Sequence, residues 1–132
     1  RHKSVKLKPR VFVFLRKNKN KIKVMLKQRT ASDWYSEMWD FPSELGGSQS
    51  PIQKFEFIGG KAFGSARHNI THHKIILKGH AYVNRTPAKL AGFGRWVDLD
   101  ELLAEKLTIP IATTTRKLLR PLMKWLCDQK LM

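Results

Sequence analysis

Arg10-Val11-Phe12-Val13-Phe14-Leu15-Arg16 is followed, across Asn18-Lys19-Asn20, by Lys21-Ile22-Lys23-Val24-Met25-Leu26-Lys27. The first run is short, continuously apolar, and rich in aromatic and β-branched residues, which predicts a buried strand. The second alternates. Ile22, Val24 and Leu26 fall on one face and Lys21, Lys23 and Lys27 on the other, the period-two pattern of a half-buried strand. Asn18-Lys19-Asn20 is a turn signal between them. The pair predicts a β-hairpin.

Outward from that hairpin the signals are mixed. The first seven residues are polar and basic and read as a loose lead-in, so residues 1–9 are assigned to a linker and 10–127 to one domain, with 128–132 a tail. Trp34 to Pro42 is dense in aromatics and ends in a proline that favours extended backbone before it. Leu45 to Pro51 reads as a loop. Gln53 to Ile58 is a possible strand, and Gly59 to Ser65 is again loop-like. Thr71 to Val83 is a long extended stretch centred on Ile75-Ile76-Leu77. Arg95-Trp96-Val97 is a short strand. Asp98 with Glu101 three residues on has the pattern of a capping box. Leu118, Leu119, Leu122, Met123 and Leu126 recur at helical spacing, interrupted by Pro121, which predicts a kink or two short helices. The expected fold is α+β: a mixed sheet flanked by helices, mostly in the C-terminal half.

The 132 residues carry 26 Lys and Arg against 10 Asp and Glu, a formal charge of +16. The sequence pI is about 10.4. That excess favours polyanionic partners, nucleic acid before acidic lipid. No apolar run approaches the roughly 20 residues of a membrane-spanning helix. Cys127 is the one cysteine, so neither an internal disulfide framework nor a cysteine-ligated iron–sulfur cluster is available to this chain. A reducing, cytoplasmic location is expected. The chain begins at Arg1 and is expected to be a piece of a longer protein.

Catalytic constellations are absent from the sequence. His68, His72, His73 and His80 have no cysteine or carboxylate near them, and His72 and His73, as strand neighbours, are expected to point to opposite faces. Zinc is disfavoured on that geometry. Gly59-Gly60-Lys61 and Gly64-Ser65 fit neither phosphate-binding glycine motif. No carboxylates pair for acid–base work, and there is no nucleophile elbow. Trp34, Trp39, Phe41 and Trp96 are expected in the core.

Lys27-Gln28-Arg29, then Trp39-Asp40-Phe41-Pro42, resembles the Nudix superfamily, and in particular the C-terminal domain of MutY-type adenine DNA glycosylases. Arg67-His68-Asn69-Ile70-Thr71-His72 is similar to that family's Arg-His-x-Phe-Ser/Thr-His loop. Gly94 to Leu102 and Leu107-Thr108-Ile109-Pro110 with Arg116 to Leu119 resemble its later segments. The likeness spans residues 10 to 120. A Nudix hydrolase is expected to carry G-x5-E-x7-R-E-x2-E-E, whose glutamates hold Mg²⁺. Between Gly46 and His68 this chain has one carboxylate, Glu56. Metal-assisted diphosphate cleavage therefore lacks its ligands.

The resemblance implies a Nudix-like binding domain, catalytically silent by itself, that recognises 8-oxoguanine opposite adenine in duplex DNA. Excision chemistry and a [4Fe–4S] cluster would belong to an N-terminal glycosylase domain of the same protein. No cofactor or metal is expected in this chain, and a monomer is expected. Guanine presents an acceptor at N7. The 8-oxo form presents a donor there and an acceptor beside it. Thr71, at the family's Ser/Thr position, offers a hydroxyl to accept and a backbone N–H to donate. Ile70 stands where the family has a wedging Phe, and His72 matches the family histidine. Arg67, Lys74 and Lys78 are the expected phosphate contacts. Two alternatives remain: a hydrolase of oxidised nucleotides with an atypical metal site, and a nucleic-acid-binding module without lesion preference.

Overall fold

The computed structural model describes residues 4–47, 52, 55–88, 92 and 94–132. Strands β2 (Arg10–Asn18) and β3 (Lys21–Gln28) form the expected hairpin, closing with Asn18 opposite Lys21. Lys19 takes φ 56° in the two-residue turn. β2 is apolar on both faces because both are covered. Val11, Val13 and Leu15 enter the main core, while Phe12 and Phe14 enter a second, aromatic cluster with Met25 and Tyr82.

The centre of the sheet is β6 (His73–Val83). It runs parallel to β2, with Arg10 opposite Lys78 and Leu15 opposite Val83. On its other side it pairs antiparallel with β5 (Lys61–Ile70). β1 (Val5–Leu7) lies parallel to the first residues of β6. β4 (Trp39–Asp40) and β7 (Gly94–Asp98) both pair with β3. Seven strands thus form one mixed sheet. Helices α1 (Leu99–Leu103) and α2 (Thr113–Asp128) supply Leu99, Leu102, Leu118, Leu119, Leu122 and Leu126 to the main core on one face.

Several expectations need correction. Val5 to Leu7 is a strand, not a loose lead-in: the Val5 N–H donates to the His72 carbonyl at 3.0 Å, and Leu7 packs against the core. Lys61 to Ser65 is the start of β5, not a loop. Gly64 there has φ 150°, and a Cβ on it would lie 2.7 Å from Cβ of Pro121, so the glycine serves close packing against α2. Phe55 to Ile58 is not a strand. Phe55 and Phe57 instead lie edge-on over Phe12, with centroids 5.8 and 4.7 Å away. Ser48 to Pro51, Gln53 and Lys54 lie outside the described residues. Asp98 precedes α1 but makes no side-chain capping bond. α2 runs as one helix through Pro121, not as two. Phe41 is in the core, with Trp34 and Trp39 partly buried against it, and Trp96 is partly buried beside the second cluster.

Candidate nucleic-acid interface

The β5–β6 hairpin carries most of the residues singled out from the sequence. Ile70 pairs with His73, so Thr71 and His72 alone form the turn. This shortens the expected extended stretch, which begins at His73 rather than Thr71. Thr71 has φ 51°. A β-branched residue in that region is a genuine outlier, and hairpin turns with positive φ at this first position ordinarily take glycine. The Thr71 hydroxyl lies 3.3 Å from Nδ1 of His73. Thr71 and His72 are exposed. The turn also brings the His72 and His73 rings together, at 4.5 Å between centroids, rather than to opposite faces.

Alternation along the hairpin then sorts the rest. Ala66, His68 and Ile70 face α2, as do Ile75 and Leu77 of β6. Ile70 is 8% exposed and belongs to the main core. Its side chain anchors the base of the turn and is not presented to solvent. Arg67 and Asn69 on β5, with Lys74 and Lys78 on β6, alternate onto the opposite, exposed face.

Three segments hold the turn. The Val5 N–H takes the His72 carbonyl. The Trp34 ring meets His73 at 5.1 Å. On α2, the Lys117 ammonium donates to the Arg67 carbonyl at 3.0 Å and lies 2.9 Å from His68 Nδ1. His68 Nε2 in turn lies 2.9 Å from the Tyr35 hydroxyl. An ammonium has only donors, so Nδ1 must accept and the proton sits on Nε2, which makes His68 a neutral bridge. Burial holds the His68 pKa below its ordinary value, and the Lys117 charge adds to the effect. Sequence inspection missed Lys117 and Tyr35, because nothing local marks a contact made from 49 and 33 residues away.

Beneath the interface, Asp40 is buried. It accepts from Arg29 at 3.3 Å, from the Thr114 hydroxyl at 2.8 Å and from the Thr115 hydroxyl. Thr115 also accepts the Phe41 N–H at 2.9 Å. Arg29 also donates to the carbonyls of Trp34 and Leu45, both at 2.7 Å, and of Gly46 at 3.4 Å. Burial pushes the Asp40 carboxyl up, against the downward pull of Thr115, Arg29 and Thr114. The Trp39-Asp40-Phe41-Pro42 element is therefore a structural tie between β3, β4 and α2.

A family model described as the NUDIX domain matches residues 11–120. The chain belongs to the NUDIX domain family. A comparison with curated proteins found no match. Among solved structures, the C-terminal domain of mouse MUTYH, in complex with human PCNA, is 17% identical with a TM-score of 0.60, covering 89% of this chain and 87% of that one. Shewanella oneidensis NrtR complexed with a 27mer DNA is 12% identical, TM-score 0.62, covering 92% and 62%. A MutT protein from Methanosarcina mazei is 13% identical, TM-score 0.62, covering 98% and 99%. At these identities the likeness is one of fold.

The Mg²⁺ of NUDIX hydrolysis does not fit the residues this chain offers. Glu56 is the one carboxylate between Gly46 and His68, and it is exposed. Among the described residues no three His, Cys, Asp or Glu are grouped to hold a metal. The described residues between β4 and β5 form no helix; the aromatic pair Phe55 and Phe57 lies on the sheet there. Among the described residues no helix is long and apolar enough to cross a membrane.

Proposed function

We propose that this NUDIX domain is the DNA-binding, lesion-recognition module of an A/G-specific adenine DNA glycosylase. It reads 8-oxoguanine opposite adenine through the β5–β6 turn. The observation that carries the proposal is Thr71: an exposed, β-branched residue at φ 51° on a turn where stability alone would select glycine. Strain of that kind, roughly 1–3 kcal/mol, marks sites kept for what the side chain does.

The chemistry follows from the turn. With His73 protonated on Nε2, its Nδ1 takes the Thr71 hydroxyl proton. Both lone pairs of the oxygen then remain to accept the N7–H that 8-oxoguanine has and guanine lacks. The Thr71 backbone N–H donates to the 8-oxo group. His72, exposed beside it, contacts the adjoining strand. Ile70, packed in the core, serves as the foot of the turn rather than as a wedge. Arg67, Lys74 and Lys78 meet phosphates and set register, not lesion choice. The mouse MUTYH domain and the DNA-bound NrtR share this fold, which lends the proposal support by analogy.

Fluorescence anisotropy on duplexes carrying 8-oxoguanine:adenine or guanine:adenine, at near-physiological salt, tests it. A preference for the lesion that disappears in Thr71→Ala is the expected result. Equal binding to both duplexes, falling steeply with salt, leaves a charge-driven DNA binder and overturns the lesion-reading role.

A further inference from the structure

One stretch of the sheet is covered by nothing among the described residues. On the face away from α1 and α2, Arg10 pairs with Glu44 at 2.7 Å and donates to the Phe55 carbonyl at 3.0 Å. That tie fastens the Phe55–Phe57 segment over Phe12 and Phe14, and the cover ends there. Beyond it, toward the turn, the same face carries Lys78, Lys74 and, on β1, Lys6 opposite Lys74. β5 adds Ser65 opposite Lys78, then Arg67, then Asn69 opposite Lys74. All six are exposed. Among the described residues, none of the four cations has an ion-pair partner.

We infer that, given the DNA-reading turn proposed above, this bare face is a track for the phosphate backbone of the duplex flanking the lesion. Lys6 and Lys78 are its outlying contacts. Charge is the first reason: four exposed cations from three paired strands share one face of the sheet. Spacing is the second. Lys74 and Lys78 are four strand residues apart, about 13 Å at 3.3 Å each. Because a nucleic-acid strand winds around its axis, successive phosphates lie about twice the 3.4 Å axial rise apart, so that span covers about two nucleotide steps. The duplex, rather than a single strand, fits because none of these six side chains is aromatic, so bases have no platform to stack on. Lys6 joins the track only because β1 pairs with β6.

Salt titration separates the track from the reader. The variant K6A/K78A is compared with wild type and with K106A/K124A, which removes equal charge from the side of the sheet bearing α1 and α2. All four lysines are exposed, and circular dichroism checks that the fold persists. The slope of log K against log salt is expected to flatten by about 1.8 in K6A/K78A, about 0.9 per lost phosphate contact. Between 50 and 200 mM salt that makes affinity loss about 12-fold smaller than in wild type. The ratio of lesion to undamaged affinity should not change. A slope equal to that of the control variant overturns the track. A single strand held as tightly as the duplex, and weakened equally by K6A/K78A, overturns the choice of duplex. If wild type shows no lesion preference yet K6A/K78A flattens the slope, the track stands and the lesion reader falls.

Discussion

Thr71→Gly should make this domain more stable and a poorer reader of 8-oxoguanine. Holding a non-glycine residue in the left-handed region costs about 1–2 kcal/mol. At φ 51°, Thr71 bears that cost. Glycine removes it but returns about 0.5–1 kcal/mol of chain entropy to the unfolded state. The Thr71–His73 contact is exposed and 3.3 Å long, so its loss subtracts little. The net gain is about 0.5–1 kcal/mol, or about 2–4 °C in melting temperature for a domain of this size. Over the same change the lesion loses a hydroxyl acceptor, worth about 0.5–1.5 kcal/mol. The ratio of lesion to guanine affinity should fall about 2- to 12-fold. Thermal melting and paired anisotropy titrations measure both effects. Thr71→Ser keeps the hydroxyl and should keep the ratio, while Thr71→Ala keeps the strain and loses it. A glycine variant that melts lower, or that keeps the full lesion preference, refutes the claim that the strain is borne for the hydroxyl.

Asp40→Ala leaves Arg29 buried without its counter-charge and should cost about 3–5 kcal/mol in denaturant unfolding. Because the folded His68 pKa lies below its ordinary 6.5, the folded state binds fewer protons than the unfolded one below that value. Its contribution to stability is therefore complete above pH 6.5 and is lost as pH falls through the window beneath it, so urea midpoints should drop from pH 7.5 to 5.5, less so in His68→Gln. Gly64→Ala drives a Cβ into Pro121 at an unfavourable φ and should lower stability by about 1–3 kcal/mol, whereas Gly92→Ala, whose added Cβ meets no described residue within 4 Å, should change little.

The hairpin of β2 and β3, the strand at Arg95-Trp96-Val97 and the helical spacing of Leu118 to Leu126 were legible because each carries a local apolar period. The backbone strain at Thr71 has no sequence signature, since a threonine in a turn looks like one in a strand. β1 was illegible for a different reason. Three residues alternate too briefly to register, and what makes them a strand is an edge of β6 supplied 68 residues later. Gly64 misled because glycine marks both slack loops and tight packing, and Pro121, which distinguishes the two, is far along the chain. The burial of Ile70 was not legible, because an apolar side chain in a turn segment reads the same whether it faces solvent or the core.

The clamping of the two-residue turn bears on how the domain meets its target. Val5, Trp34 and Lys117 grip the turn and its base from three separate parts of the chain. Fixing a residue's backbone costs about 1–2 kcal/mol, so ordering Thr71 and His72 at the moment of contact would forfeit about 2–4 kcal/mol of affinity. Here that loss is incurred during folding. On the proposed function, the turn would meet a duplex already in shape, and a base that did not match it would be released without the turn having rearranged.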